Sequence, residues 1–518
     1  MTLMQLIPAC LAVACSGSDS LPGQGTRTTT PAEGLNKVNH IIIVMQENHS
    51  FDNYFGALAY VPGGPYHTSS LGCAPDDHRC VDGLNCSVDS TGSLVCTNSN
   101  PDDEGGAVTA FHDESRCVLP SNLENSWVLS HQEANFSDPI ATLFDSPNDG
   151  FVRVNETVDQ PANGFETAAQ DPAMGFYTQD DLPFYYDLAK KFAIDDRYFA
   201  AVMGATLPNR LYLMAATSFG HISGGDQLPV PPDVWKPISG TIFDLLDSRG
   251  ISWTDYSEGG PQARVFRLPS SSANASHFRS VQEFLAIAAG SPAAAQLPQV
   301  SLIDAPDQEH PPNDIQRGQA AVSRIVNSIR NGPYWKDSVI FITYDEHGGF
   351  YDHVRPPRAP QGGARTPDDI FPGQCEDLSN PPTRQQPGAG VDCTWSGYEA
   401  RSLCPALPQS PAAQYPDGCP SFDQLGFRVP LLVVSPFAKP HYVSHTIADH
   451  TSLLAFIEER FLGDHTSGGG LRPFHLTLRD QYADTLEDLF DFENSPSLDS
   501  SLFEAQPPVN DCTPPGSY

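Results

Sequence analysis

An α/β fold is predicted by two apolar segments that each end in a polar cluster, and by alternating strand and helix patterns. The first apolar segment, residues 41–45, is rich in β-branched side chains, and the second, residues 339–342, has the same form. Short apolar runs of this kind are typical of buried central strands. Between about residues 123 and 355, segments such as QEFLAIAAG and AAVSRIVNSIRN indicate βα units. A further buried strand is predicted at 428–436, RVPLLVVSP.

A polar cluster follows the first apolar segment. Glu47 and Asn48 lie within the run QENHS that ends this segment. In open α/β sheets, ligands bind just beyond the carboxyl ends of the strands. Carboxylate and amide oxygens are the ligands that hard divalent cations prefer. Taken alone, this cluster favours an ordinary polar loop at the end of a strand.

A second polar cluster makes a shared metal site the better explanation. Asp345 and Glu346 follow the second apolar segment, and Gly348 and Gly349 come directly after them. The two glycines permit close backbone approach and a positive φ. Two buried strands would deliver carboxylates to one place, where a cation between them relieves their mutual repulsion. The expected metal ligands are Glu47, Asn48, Asp345 and Glu346.

A third cluster supplies a hydroxyl group. Thr206 follows the small residues Gly204 and Ala205 and precedes Pro208 in the segment GATLPNRLYLM. A hydroxyl on a tight turn before a helix resembles the way alcohol nucleophiles are presented. The helix N-terminus and a nearby metal would lower the pKa of this hydroxyl and stabilise an anionic phosphate. A threonine near a proline can instead be only a helix N-cap. With the other two clusters present, Thr206 is predicted to be the nucleophile.

These clusters are part of a longer set of segments, in a fixed order over about residues 38–461. The set resembles the bacterial phosphoesterase family of non-haemolytic-type phospholipases C and related acid phosphatases. That family is similar to the alkaline-phosphatase-like superfamily, which implies a three-layer α/β/α sandwich, here with Cys-rich loop inserts. The segments are HIIIVMQENHSFDNYFG, MGFYTQDDLPFYYDLAKKF, TLPNRLYLM, EHPP, YDEHGGFYDHV, FRVPLLVVSPF and DHTSLLAFIEERF.

The resemblance also implies roles for individual residues. Thr206 falls where the family has its nucleophile, and the four expected metal ligands fall at the family's metal-binding positions. His131 and His310 match histidines that contact phosphate or transfer a proton. An ordinary histidine on a helix surface is the alternative for His131.

Three further residues are weaker candidates. His353 and the pair Asp449 and His450 lie in matching segments, but their roles stay open. Asp449 or Thr451 can simply cap the helix that follows.

The implied activity is metal-dependent hydrolysis of phosphate esters through a phospho-threonine intermediate. A phospholipase C acting on phosphatidylcholine-like lipids is the favoured form, and a broad-specificity acid phosphatase is the alternative. A non-catalytic, acidic, cation-binding surface protein is a third and less favoured interpretation. The oxygen ligands suit Ca, Mg or Mn, whereas the superfamily points to Zn, so the identity of the metal stays open.

Charge and cysteine content indicate an extracytoplasmic enzyme. The chain of 518 residues has a formal net charge of −35, which argues against nucleic acid as a partner. The expected partner is a phospholipid or a small phosphoester. Ten of the 12 cysteines lie beyond residue 70 in loop-like stretches, as in proteins with disulfides from an oxidising compartment. Their spacing does not follow a zinc pattern, and it does not define which cysteines pair.

The N-terminal segment is short and apolar and ends in AVAC. It resembles a truncated signal or a lipoprotein signal with Cys15 as the lipidated residue, although no Lys or Arg opens it. We therefore expect a secreted protein or one tethered by a lipid anchor, with no transmembrane helix. The expected organisation is a signal or lipoprotein segment at 1–15, a linker at 16–35, a phosphoesterase domain at 36–465 with Cys-rich inserts at about 57–122 and 356–422, and an acidic tail at 466–518.

Overall fold

The structure is a computed structural model. It describes residues 34–507 with internal gaps. The predicted N-terminal segment 1–15 and most of the linker 16–35 lie outside the described residues, as does most of the insert 356–422. The gaps are 71, 115–116, 118–122, 124, 139–145, 159–170, 219–238, 261, 267–271, 292–293, 307–308, 312, 361–373, 376–390, 393–421, 464–473 and 502.

An eight-stranded sheet forms the centre of the fold, in the order β11-β10-β12-β1-β13-β16-β8-β17. β1 lies between β12 and β13 and is parallel to both. Because neighbouring elements cover both of its faces, its apolar run is continuous rather than alternating. The strands of this sheet are β1 His40–Gln46, β8 Ala193–Asp195, β10 Trp253–Tyr256, β11 Phe278–Arg279, β12 Val300–Asp304, β13 Ser338–Tyr344, β16 Leu431–Val434 and β17 Tyr442–Ser444.

The two apolar segments that predicted the fold are adjacent strands. All of Ile41–Met45 in β1 and Ser338–Tyr344 in β13 are buried. The third predicted strand is β16, which runs antiparallel to both of its neighbours, β13 and β8. The sheet is therefore mixed, with parallel strands at its centre.

Helices pack on both faces of the sheet. On one face α9 contacts α5 and α10, and on the other α8 contacts α4 and α7. Phe341 of β13 meets Phe456 of α9 with 5.0 Å between ring centroids, which assigns α9 to the face of odd-numbered β13 residues. The helices are α1 Phe51–Phe55, α2 Trp127–Ala134, α3 Phe151–Val158, α4 Pro183–Lys191, α5 Thr206–Ala215, α6 Ile242–Ser248, α7 Val281–Ala288, α8 Ile315–Arg330, α9 His450–Phe461 and α10 Leu478–Tyr482.

This arrangement confirms the predicted α/β/α layering. The segments QEFLAIAAG and AAVSRIVNSIRN form α7 and α8. The acidic segment LEDLFDF contains a 3₁₀ turn at Glu487–Leu489. The other 3₁₀ turns are Leu58–Tyr60, Pro172–Met174, Gln262–Val265, Ser272–His277 and Trp335–Asp337.

Short strands and disulfides characterise the first Cys-rich insert. Cys73 is bonded to Cys80 and Cys86 to Cys96, and the second bridge joins directly opposite residues of β2 and β3. These four cysteines therefore pair with one another and do not bind zinc. The remaining strands are β2 Cys86–Val88, β3 Leu94–Cys96, β4 Ser99–Pro101, β5 Ala107–Thr109, β6 Phe111–His112, β7 Gly175–Phe176, β9 Tyr198–Phe199, β14 Gln374–Cys375, β15 Val391–Asp392 and β18 Ala448–Asp449.

No helix in the described part of the chain is long and apolar enough to cross a membrane.

Candidate active site

The two predicted carboxylate clusters lie side by side at one edge of the sheet. In the parallel register of β1 and β13, Gln46 is opposite Tyr344. Glu47 and Asp345 therefore leave neighbouring strands at the same level. The backbone N–H of Asp345 donates to the carbonyl of Gln46 at 3.2 Å. Strand register thus places both predicted metal-binding segments at the carboxyl edge, where α/β folds bind ligands.

Arg210 connects these carboxylates. Its Nη2 lies 2.8 Å from Glu47 Oε1 and its Nε lies 3.1 Å from Asp345 Oδ2. Its Nη1 pairs with Asp304, the last residue of β12. Neither Arg210 nor Asp304 was predicted to belong to the site. The signal for Asp304 was the same as for the others, since it too is a carboxylate at the end of an apolar strand.

Negative charge exceeds positive charge at this edge. Three carboxylates, from Glu47, Asp304 and Asp345, share one guanidinium. Burial raises the pKa of Asp345 well above its usual range, Arg210 lowers it, and the charges of Glu47 and Glu346 raise it further. A divalent cation would relieve this repulsion and hold Asp345 ionised. The donor set therefore fits a hard cation in charge and in ligand type.

The candidate ligands do not form a closed cage. Within the described residues, three groups of His, Cys, Asp or Glu have ligand atoms within 4.8 Å of one another, and none includes Glu47, Asp345 or Glu346. Arg210 accounts for this, because its guanidinium lies between Glu47 and Asp345. Two of the three groups contain a disulfide-bonded cysteine, and the third, Asp52, Asp352 and His353, is already paired with Arg428.

Asn48 lies in a strained, closely packed turn beside this site. It is fully buried, and its φ of 71° is unusual for a residue other than glycine. Gly348, with a φ of 68°, approaches so closely that a Cβ there would overlap the backbone carbonyl of Asn48. The glycine predicted to permit close approach therefore does so, between the first and second polar clusters.

Thr206 is the first residue of α5, and it is not the N-cap. The N-cap is Ala205, which makes no side-chain cap hydrogen bond. Thr206 is half-buried, and the first backbone N–H groups of an α-helix have no partner within the helix. Arg210 lies one turn further along the same face of α5. Arg210 contacts Glu47 and Asp345. The helix turn that begins at Thr206 therefore reaches the carboxylates at the edge of the sheet.

Asn209 holds the turn that precedes Thr206. Its Oδ1 accepts from the N–H of Val202 at 3.0 Å. Its Nδ2 donates to the carbonyls of Gly204 and Ala205 at 2.9 and 3.1 Å. Asn209 is fully buried. These bonds fix the backbone just before Thr206.

Glu346 has different partners from Asp345. Its carboxylate accepts from Asn125 Nδ2 at 2.6 Å and from the N–H of Gly348 at 2.7 Å. His347 Nδ1 lies 3.4 Å from it, and His347 Nε2 lies 2.7 Å from Glu133. Burial alone would lower the pKa of His347, but the two glutamates raise it to about 9. His347 was not predicted to belong to the site, because residue spacing does not show which way a side chain after a strand points.

His131 is buried on α2. Its Nδ1 donates to the carbonyl of Trp127 at 2.6 Å, which leaves Nε2 as the acceptor in the neutral ring. Burial lowers its pKa to about 4, so it is neutral under mildly acidic conditions. Trp127 packs with Ala201 and Val202 of the turn before Thr206. His131 thus belongs to the surroundings of that turn and does not lie exposed on a helix surface.

His310 follows a residue that is bound to the first polar cluster. It is half-buried, and its Nδ1 donates to the carbonyl of Pro311 at 2.6 Å. The residue before it, Glu309, accepts from His49 Nε2 through its backbone carbonyl at 3.0 Å. His310 is therefore held next to the segment that carries Glu47 and Asn48.

The weaker candidates have structural contacts. Asp449 is the N-cap of α9 and pairs with buried Arg479. His450 donates from Nε2 to the carbonyl of Asp345 at 2.8 Å, so it holds the backbone of a candidate metal ligand.

His353 lies 2.6 Å from Asp52 and 3.3 Å from Asp82, in a buried ion network that includes Arg428.

Comparison with known proteins identifies the family. The sequence model of the Phosphoesterase family matches residues 38–462, which include every candidate site residue. The chain belongs to the Phosphoesterase family. The predicted class, a phosphoric ester hydrolase, is thereby confirmed.

Relatives of this Phosphoesterase family member are named as phospholipases C. Phospholipase C B of Mycobacterium tuberculosis (strain ATCC 25618 / H37Rv) is 27% identical over 507 residues, covering 93% of this chain and 84% of its own. Non-specific phospholipase C4 of Arabidopsis thaliana is 27% identical over 477 residues, covering 89% and 73%. Among solved structures, murine ectonucleotide pyrophosphatase/phosphodiesterase 5 is 11% identical, the match covers 56% of this chain and 92% of that chain, and the TM-score is 0.31.

Proposed function

We propose that this protein hydrolyses phosphate esters in a metal-dependent reaction through an intermediate on Thr206. The favoured activity is that of a phospholipase C acting on phosphatidylcholine-like lipids. The observation that carries the proposal is the position of Thr206. It begins a helix whose next turn, at Arg210, contacts carboxylates from two adjacent strands.

The candidate metal ligands are the oxygen groups at the carboxyl edge of β1 and β13, and their excess negative charge supports the binding of a cation. When bound there, a divalent cation would polarise a phosphoryl oxygen and lower the pKa of the Thr206 hydroxyl. Calcium, magnesium, manganese and zinc all remain candidates. The ligands are Glu47, Asn48, Asp345 and Glu346.

The helix N-terminus would bind the substrate phosphate. The backbone N–H groups of Thr206 and Leu207 have no partners within the helix and point along its positive end. Such donors stabilise the phosphate oxygens and the negative charge that develops on them. A phosphate bound there would be near the Thr206 hydroxyl, because Thr206 is the first residue of the helix.

The reaction would proceed in two displacements. The Thr206 oxygen forms a bond to phosphorus as the bond to the diacylglycerol oxygen breaks, and the phosphorylcholine group remains on Thr206. Water then cleaves the new bond and regenerates the hydroxyl. His131 suits the acceptance of the hydroxyl proton, because it is neutral above about pH 4 and its Nε2 is an acceptor. His310 is proposed to protonate the leaving oxygen.

The names of relatives favour a lipid diester over a small monoester. The relatives that match most of the chain are named phospholipase C. The high content of acidic residues and the disulfides support a location outside the cytoplasm, with the protein either secreted or held by a lipid anchor.

Hydrolysis of two chromogenic esters tests the proposal. p-Nitrophenyl phosphorylcholine and p-nitrophenyl phosphate are compared for the wild type, Thr206→Ala and Thr206→Ser, with and without added divalent cations. We expect the diester to be preferred, Thr206→Ala to be inactive and Thr206→Ser to retain turnover. Preference for the monoester would indicate an acid phosphatase. Equal activity of Thr206→Ala and wild type would contradict the proposal.

A further inference from the structure

A buried carboxylate bound by three tyrosines lies on the opposite face of the sheet from α5. Glu309 is fully buried. Its Oε1 accepts from Tyr185 at 2.6 Å, and its Oε2 accepts from Tyr54 at 2.7 Å and from Tyr344 at 2.5 Å. An ionised carboxylate accepts hydrogen bonds at both oxygens and donates none. Three phenolic donors therefore identify this as a site built for a buried negative charge.

The groups around Glu309 flank the candidate metal ligands. Gln46, which precedes Glu47, accepts from the Glu309 N–H through Oε1 at 3.3 Å. His49, which follows Asn48, donates to the Glu309 carbonyl. Tyr344, which precedes Asp345, binds the Glu309 side chain. Both metal-binding segments are thus joined to one residue, and that residue precedes His310.

Packing around the Glu309 carboxylate is tight. Gly318 of α8 lies against it so closely that a Cβ at residue 318 would overlap the Glu309 side chain. Tyr185 belongs to α4, so α4 and α8 both contact the Glu309 side chain. Burial raises the pKa of Glu309 to about 7, and the three tyrosine hydroxyls oppose that rise. A buried charge with a full set of hydrogen bonds holds its partners rigidly. Removing one of those partners lowers the free energy of unfolding.

We propose that Glu309 is a positioning residue for the reaction. It fixes the segments that carry Glu47, Asn48 and Asp345 relative to each other and to His310. Glu309 itself does not touch the substrate, because it is buried on the α4 face, away from Thr206. This inference rests on the proposed function, which gives these segments their metal-binding role. The connection between the segments rests on the observed contacts.

Two neighbouring tyrosines of α4 provide a matched test. Tyr185→Phe removes a hydroxyl that binds Glu309. Tyr186→Phe removes an equally buried hydroxyl that binds the carbonyl of Tyr177 at 3.1 Å. Glu309→Gln keeps the shape of the side chain but replaces one acceptor oxygen with an amide that donates. The three variants are compared with the wild type by thermal unfolding, by calorimetric titration with Mn²⁺ and by kcat and KM on p-nitrophenyl phosphorylcholine.

We expect Glu309→Gln and Tyr185→Phe to bind Mn²⁺ about tenfold more weakly and to lose about tenfold in kcat with little change in KM. Tyr186→Phe should stay within about twofold of the wild type. A loss in Glu309→Gln no larger than that in Tyr186→Phe would overturn the inference. If Glu309→Gln does not fold, the comparison of Tyr185→Phe with Tyr186→Phe decides by the same criterion.

The calorimetric measurement separates this inference from the proposed function. If the wild type hydrolyses neither ester, the proposed function fails, and Mn²⁺ affinity alone then tests the positioning role. Equal Mn²⁺ affinity in all four proteins would overturn that role. Weaker affinity in Glu309→Gln and Tyr185→Phe only would support it.

Discussion

His347 and Glu133 form a buried contact, with 2.7 Å between Nε2 and Oε2. The other ring nitrogen of His347 faces Glu346 at 3.4 Å. Glu133 lies on α2, two residues from His131, so this contact joins the helix of a candidate catalytic histidine to a candidate metal ligand. Outer contacts of this kind orient metal ligands.

Substitution of Glu133 tests that connection. Glu133→Gln should lower kcat/KM and Mn²⁺ affinity by about tenfold, because His347 loses the charge that orients it toward Glu346. The matched control is Glu156→Gln on α3, where a carboxyl that is also largely buried bonds the backbone N–H of Asp103 instead. Steady-state kinetics and calorimetry measure both variants. Equal effects of the two substitutions would show that the contact has no specific role.

Arg210 should stabilise the metal-free protein. Removing it leaves Asp345 buried without a compensating charge, so Arg210→Ala should lower the free energy of unfolding by about 3 kcal/mol. Added Mn²⁺ should restore part of this loss, since a cation can replace the guanidinium's charge. Urea unfolding with and without Mn²⁺ measures both effects, with exposed Arg324→Ala as the control. The same midpoint for Arg210→Ala and Arg324→Ala would be evidence against this role.

His353 should make stability depend on pH in the alkaline range. Burial alone would lower its pKa, but Asp52 and Asp82 raise it to about 10 from an ordinary value of 6.5. Its contribution is fully present below pH 6.5 and is lost as pH rises through about 10. Chemical unfolding at about pH 6, 8 and 10 should show a fall on the order of 3 kcal/mol in the wild type. His353→Gln should show a flatter profile, and identical slopes would contradict this assignment.

The disulfides of the first insert should contribute to stability. Cys86–Cys96 closes a loop with a sequence separation of 10 residues, for which chain entropy predicts about 2 to 3 kcal/mol. Replacing both cysteines with serine should lower the unfolding temperature while leaving kcat on p-nitrophenyl phosphorylcholine within about twofold. Differential scanning calorimetry gives the first quantity. An unchanged unfolding temperature would mean that the bridge serves another purpose.

Residue order was enough to predict the parts of the site that depend on local pattern. The buried strands β1 and β13, the polar residues at their ends and the helix that begins at Thr206 each lie within one short segment. The parallel register of the two strands then brings Glu47 next to Asp345, as expected from the rule that ligand groups meet at the carboxyl edge.

Contacts between distant segments were not predictable in this way. Arg210 pairs with carboxylates 163, 94 and 135 residues away, and the three tyrosines of Glu309 come from a helix near β1, from α4 and from β13. The periodicity of a single sequence does not show which charged side chains will be in contact. The low pKa of His131 likewise follows from burial by Trp127 and its neighbours, which the sequence analysis did not foresee.

Trapping the covalent intermediate tests directly whether Thr206 is the nucleophile. Wild-type protein is mixed with p-nitrophenyl phosphorylcholine, quenched with acid while turnover proceeds, digested and examined by mass spectrometry, with Thr206→Ala treated in parallel. We expect one phosphorylcholine group on the Thr206 hydroxyl of the wild type and none in the variant. Rapid turnover with the group on another residue, or with the variant equally active, would contradict it.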